Sequence, residues 1–254
     1  CVYIATPHAL HKDQMLQALA HGKHILCEKS FTLNRPQAEA VFKKAKEKNL
    51  FVMEAMWTRF LPVLKKVLSY LDGGHLGRIT HVDANFTFDV PFDASRRIFD
   101  KSLGGGALLD IGIYPITFVN MVLGRPNAFE TTVQKHESGI DLAHSITYHY
   151  DDIKATMRAS FQDASEPKAT IHGTEGTIEI PYFWQAEKAH VYDRQGTFVK
   201  SMLAPFRVNG FEYEIEDTMR SIEARKQESD TVPHSVTLEI LRQMDAIRQR
   251  WDLI

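Results

Sequence analysis

An aspartate and a tyrosine interrupt the most apolar stretch of this chain. Gly104-Gly105-Gly106 opens it, Ala107-Leu108-Leu109-Asp110-Ile111-Gly112-Ile113-Tyr114 follows, and mostly apolar residues continue to Leu123. The pattern predicts a buried helix to about Leu123, with Asp110 and Tyr114, four residues apart, on one face. Buried polar atoms need partners. A tyrosine hydrogen-bonded to its own helix neighbour would meet that need structurally; a proton-transfer site would meet it chemically. Lys29 favours the second reading. It closes the apolar run His24-Ile25-Leu26-Cys27-Glu28-Lys29 at the tip of a predicted buried strand, although an exposed loop lysine is the plainer alternative. A free phenol titrates near ~10. A positive charge about 4 Å away, at an effective dielectric of about 20, favours the phenolate by at most ~4 kcal/mol, or roughly three pKa units. Desolvation offsets part of that. If Lys29 meets Tyr114, the pair can exchange a proton with an alcohol while hydride leaves its carbon.

Other candidates carry weaker signals. His8 and His11 are three residues apart at a strand-to-helix turn; with no HExxH and no third ligand, polar lining of a cleft is favoured over a metal site, and no metal is expected. Trp57 and Arg59 follow a predicted strand and can stack on and clamp a planar anionic ligand, or be a packed aromatic and a surface arginine. Arg96 and Arg97 precede the triple glycine and either line a substrate or form a solvated pair. No Ser-His-Asp order, nucleophile elbow, G-x-G-x-x-G or P-loop is found, so nucleophilic hydrolysis has no support.

The elements that must position these residues read as α/β. Cys1-Val2-Tyr3-Ile4-Ala5-Thr6 is a buried strand with no methionine before it, so the chain reads as truncated and opening in mid-domain. A helix runs from Thr6-Pro7-His8 to about Gly22, followed by the strand ending at Lys29. Asn34, with Pro36 and Gln37 behind it, caps a helix that ends near Asn49. Phe51–Ala55 forms a third strand. Strands alternating with helices predict a doubly wound parallel sheet with ligands beyond the carboxyl ends of its strands. After a helix to about Leu71 and Gly73-Gly74, the period becomes two. Val82, Ala84, Phe86, Phe88 and Val90 alternate with polar residues, as do Ile153, Ala155, Met157, Ala159 and Phe161, the mark of antiparallel strands with one covered face. Hairpins are predicted at Asp151-Asp152 and at His172–Gly176. Helices over about Tyr213–Arg225 and Ser235–Trp251 close the chain. Residues 1–60 thus read as a partial dinucleotide-binding domain. Residues 61–254 read as an α/β domain with an open, largely antiparallel sheet.

Composition bounds the function. Hydrophobic residues make 44% and charged ones 24%, and the net charge of −2 gives no electrostatic hold on nucleic acid or an anionic membrane. The first residues do not form a basic leader, and no apolar run reads as long enough to span a membrane. Cys1 and Cys27 form no disulfide framework or zinc motif, which points to a reducing, cytoplasmic setting.

Four ordered motifs resemble the Gfo/Idh/MocA oxidoreductases: Ala5-Thr6-Pro7-His8 with His11, Cys27-Glu28-Lys29, Glu54-Ala55-Met56-Trp57-Thr58-Arg59-Phe60, and Gly104-Gly105-Gly106 through Asp110 and Tyr114. The similarity covers nearly the whole chain, including Pro233-His234-Ser235, and looks most like the dihydrodiol dehydrogenase and glucose-fructose oxidoreductase branch. The resemblance implies a Rossmann domain followed by an α/β domain whose open sheet makes a homodimer, with NADP or NAD as cofactor. It implies Lys29 and Tyr114 as catalytic residues and Asp110 as their support. Thr6, Pro7, His8, Glu28, Lys29, Trp57 and Arg59 match positions that hold the cofactor, and His11 and Phe86 match positions facing the substrate. Ser30 departs from the family's Glu-Lys-Pro, which implies a less fixed turn behind Lys29. The glycine fingerprint, with on the order of 70 residues of the first doubly wound half, is missing.

The expected function is hydride transfer between a nicotinamide and a hydroxyl-bearing carbon of a sugar, polyol or cyclic diol. Two alternatives are a non-catalytic dinucleotide-sensing or scaffold protein, and a redox-neutral glycosidase or epimerase with tightly held NAD.

Overall fold

The computed structural model describes residues 1–254. Three short strands, β1 (Val2–Ile4), β2 (Ile25–Glu28) and β3 (Val52–Ala55), pair in parallel in that order. Helices α1 (His8–Ala20) and α2 (Arg35–Lys48) make the crossovers. The predicted cap of α2 is present: Asn34 Oδ1 accepts from the Gln37 N–H at 3.1 Å, and Gln37 Oε1 accepts from the Leu33 N–H at 3.2 Å. Ala38, Val41, Phe42 and Ala45 are its buried face, and Asn49 ends it at φ 54°.

After α3 (Pro62–Asp72) an eight-stranded sheet forms from β4 (Ile79–Thr87), β5 (Ala128–Lys135), β6 (Asp141–His149), β7 (Lys154–Ser160), β8 (Lys168–Gly173), β9 (Gly176–Pro181), β10 (Lys188–Asp193) and β11 (Phe198–Leu203). Its order is β11-β10-β9-β8-β4-β7-β6-β5. Both predicted hairpins form, β6–β7 and β8–β9. The two alternating stretches differ from expectation in one respect. β4 and β7 lie side by side in parallel, with Val82 opposite Ala155, and each has an antiparallel neighbour on its other edge. The remainder of the sheet is antiparallel. β4 stops at Thr87, so Phe88 and Val90 lie beyond it.

The glycine-led helix is the central core element. It starts as a π-helical turn, Leu108–Gly112, and continues as α4 (Ile113–Leu123). Residues 101–123 have a mean hydropathy of 1.6 over their best window, long and apolar enough by composition to cross a bilayer, contrary to the sequence reading. That window is 78% buried within the fold, so this is a core helix packed on the sheet. Leu108, Leu109, Ile113, Ile116 and Phe118 join Val82, Ala84, Ile146 and Met157 in the largest apolar cluster. The last two helices, α5 (Glu212–Glu223) and α6 (His234–Arg250), turn back to the parallel sheet. His234 stacks on Phe42 at 3.9 Å and bonds the Val52 carbonyl at 2.9 Å, while Thr237 donates to Glu54 at 2.8 Å.

Candidate active site

Lys29, Asp110 and Tyr114 meet where the parallel sheet faces the π-turn. Lys29 follows the carboxyl end of β2. Its Nζ donates to the main-chain carbonyl of Asp110 at 2.5 Å, stands 3.7 Å from the Asp110 carboxylate, and lies over the Tyr114 ring at 5.0 Å from the centroid. Pro115 supplies no N–H for a π-type bond to the Asp110 carbonyl or an α-type bond to that of Ile111. Arg97 completes the arrangement by donating to Asp110 Oδ1 at 3.1 Å.

The three glycines make room for this. Gly106 has φ +118°, and a Cβ there would lie 2.4 Å from Asp141 Oδ1. The other oxygen of Asp141 accepts from the Leu108 N–H at 2.7 Å and pairs with His144 Nδ1 at 3.0 Å, holding the start of the π-turn.

Burial raises the Asp110 carboxyl, but the Lys29 and Arg97 charges overcome it and hold the group below the ordinary carboxylate range. Lys29 is pulled below the usual lysine value by burial, against the opposing Asp110 and Glu28 carboxylates. The expectation that Lys29 brings the Tyr114 phenol toward neutrality fails. Burial pushes this phenol above its ordinary value, and the Glu28 and Asp110 charges add to that despite the Trp57 hydrogen bond. The geometry gives the reason: the Lys29 charge lies over the ring and is matched by Asp110, so the hydroxyl has no ammonium to bond. Its partner is Trp57 Nε1, which donates at 3.4 Å.

The remaining predicted residues divide. Phe86 borders the phenol, 5.5 Å from the Tyr114 ring, and stacks on Trp184 at 3.8 Å. His8 Nδ1 faces the Gly104 carbonyl at 3.1 Å, which only accepts, so this nitrogen carries the proton. Burial and the nearby Lys29 charge lower His8 to about 4. Thr6 and Pro7 are half-buried at the end of β1, and Thr6 Oγ1 donates to Gln14. Glu28 accepts from the Tyr3 hydroxyl and from the Lys29 N–H.

One expectation needs correction, and two predicted cofactor residues are also tied into the fold. His11 is wholly buried, with its ring nitrogens on the carbonyls of Thr6, Ser30 and Phe31, so it supports the loop after β2 and does not face a substrate. Trp57 stacks on Phe211 at 4.4 Å. Arg59 Nε donates to the Thr231 carbonyl at 3.1 Å, tying the guanidinium to the segment before α6. Tyr3, Trp184 and Phe211 were not anticipated, because each reaches its partner from a distant part of the chain that no local spacing reports.

Residues 1–56 match the family described as GFO/IDH/MocA oxidoreductases with an NAD-binding Rossmann fold, and residues 64–179 match the GFO/IDH/MocA C-terminal domain. A trans-1,2-dihydrobenzene-1,2-diol dehydrogenase of Xenopus laevis is 35% identical over 201 residues, covering 78% of this chain; the match spans 60% of that relative's length. The scyllo-inositol 2-dehydrogenase (NADP(+)) of Bacillus subtilis is 30% identical over 100% of this chain and 78% of its own. Among solved structures, an aldose-aldose oxidoreductase from Caulobacter crescentus superposes with a TM-score of 0.88 at 22% identity, over 98% of this chain and 76% of that one, which shows a shared fold.

Proposed function

The chain belongs to the Gfo/Idh/MocA family of oxidoreductases, and on that premise we propose that it holds the reacting centre of an NAD(P)-dependent dehydrogenase acting on a CH–OH carbon of a sugar, polyol or cyclic diol. The observation that carries this reading is the Lys29 ammonium over the face of Tyr114, pinned by Asp110. The donor set fits the nicotinamide end of such a cofactor: Thr6, Pro7 and Glu28 are half-buried at the ends of β1 and β2, and Glu28 offers a carboxylate to ribose hydroxyls. His8, Trp57 and Arg59 border the same ends. The sequence has no glycine-rich strand-to-helix turn for the diphosphate, so the fit concerns the nicotinamide end alone. When bound, the nicotinamide gives or takes the hydride.

This chain's own groups handle the proton. Tyr114, held in its neutral form by burial, donates to the substrate oxygen when a carbonyl is reduced and takes that proton back when an alcohol is oxidised. Lys29 holds the ring in place, with its ammonium over the ring face. Asp110, ionised, keeps Lys29 directed. Phe86 and Trp184 offer a flat apolar wall suited to a ring-shaped substrate.

The names of the dihydrodiol and inositol dehydrogenases support a diol or polyol substrate, and the latter's NADP(+) supports NADP or NAD as cofactor. A homodimer through the eight-stranded sheet rests on the family membership and on the open form of that sheet. Two unpaired thiols support a cytoplasmic setting. The Lys29–Asp110–Tyr114 geometry argues against the scaffold alternative.

The test is Tyr114→Phe, assayed for NADP- and NAD-linked turnover of trans-diols, inositols and aldoses. Turnover should fall about 10²–10⁴-fold, as for loss of a proton-transfer group, with nicotinamide binding by fluorescence unchanged. A Phe variant with wild-type turnover would remove Tyr114 from the chemistry.

A further inference from the structure

Ser30 stands directly after Lys29 and is wholly buried. Its hydroxyl donates to the Leu109 carbonyl at 2.8 Å, while Lys29 Nζ donates to the next carbonyl, that of Asp110, at 2.5 Å. Two consecutive residues of the loop after β2 therefore grip two consecutive carbonyls of the π-turn. His11 closes the same loop from behind through the Ser30 and Phe31 carbonyls. A proline at position 30 could make none of the Ser30 side-chain contact, since it carries no hydroxyl.

We propose that Ser30 is a positioning residue whose hydroxyl, anchored on the Leu109 carbonyl, fixes the Lys29 ammonium over the Tyr114 ring. The serine replaces rigidity built into the chain with a tether to the helix that carries Asp110 and Tyr114. A side-chain bond that spans 79 residues of sequence couples the parallel sheet to the core helix at the reacting groups. Asp110, Glu28, Arg97, His8 and Tyr114 are the charged and titratable groups facing Lys29. The tether decides how far the ammonium sits among them rather than in water. The consequence for turnover rests on the oxidoreductase reading; the consequence for Lys29 itself does not.

The experiment follows Lys29 directly, in the protein without cofactor, by ¹⁵N-lysine NMR titration of Ser30→Ala, Ser30→Thr and Ser30→Cys. Wild-type Lys29 is held low by burial. In Ser30→Ala the freed ammonium gains water, and its titration should move up toward the ordinary lysine value near ~10.4. Ser30→Thr keeps the hydroxyl and should restore the wild-type titration. Should the alanine variant not fold, Ser30→Cys keeps the bulk with a weaker donor and should show an intermediate shift. In parallel, Ser30→Ala should lower kcat about tenfold or more, since displacement by an ångström costs up to ~100-fold, with KM little changed. An unshifted Lys29 in Ser30→Ala or Ser30→Cys overturns the proposal, whatever happens to melting temperature or turnover. A shifted Lys29 in a protein that turns over no substrate supports the positioning role and counts against the dehydrogenase reading alone.

Discussion

Glu214 lies on α5 at 1% exposure, against a cavity of 690 Å³ between β1 and that helix. Its Oε2 has no hydrogen-bond partner. Burial, then the charges of Glu28 and Glu54, raises it from 4.5 to about 9. At pH 7 the folded protein therefore holds a proton there that the unfolded chain has released. A group whose folded pKa is raised gives stability in full below its unfolded value and loses it as pH rises toward the folded value. Stability should therefore decline from about pH 4.5 to about pH 9 on account of this residue. At pH 7 the decline amounts to about 2.5 pH units at 1.36 kcal/mol each, or about 3 kcal/mol. Glu214→Gln cannot ionise and escapes this loss, though its extra N–H bonds cost about 1 kcal/mol if unpaired. The net expectation is about 2 kcal/mol of stabilisation at pH 7, more at pH 8.5, and none or a small loss at pH 5. Urea denaturation of both proteins at pH 5, 7 and 8.5 measures it, with the m-value unchanged. A difference between the two proteins that stays constant across these three pH values would refute the reasoning, because it would mean that Glu214 ionises alike in both states.

Two further outcomes follow from the site. Asp110→Asn removes the carboxylate that opposes the burial of Lys29, so Lys29 should titrate lower still by ¹⁵N NMR; a titration that stays in place would show that Asp110 does not support it. Gly106→Ala puts a Cβ into Asp141 at a backbone angle that side chains rarely adopt, and should cost about 2–3 kcal/mol of unfolding free energy. An alanine variant as stable as the parent by denaturation would show that the π-turn does not depend on this close approach.

Much of the scaffold is local and was therefore legible. Asn34 with Gln37 caps α2 through atoms three residues apart, and the alternation through Val82, Ala84 and Phe86 reports a strand with one covered face. The motif residues Lys29, Asp110 and Tyr114 stood out because buried strand ends and apolar helices rarely carry such groups without reason. Tertiary structure decided what they do to one another. Four-residue spacing put Asp110 and Tyr114 on one face of a regular helix, but the helix opens with a π-turn, and Lys29 reaches the Asp110 carbonyl there. The spacing therefore did not reveal that Lys29 would lie over the ring of Tyr114 and leave its hydroxyl alone. His11 matched a ligand-facing position, yet its wholly buried ring must find partners wherever the fold supplies them, and here those partners are main-chain carbonyls. The parallel pairing of β4 with β7 was equally hidden, because alternation fixes which face of a strand is buried and says nothing about its neighbour. Local periodicity and capping were set by residues near in sequence, whereas charge balance, stacking and the tether from Ser30 depend on groups that only the folded chain brings within a few ångströms.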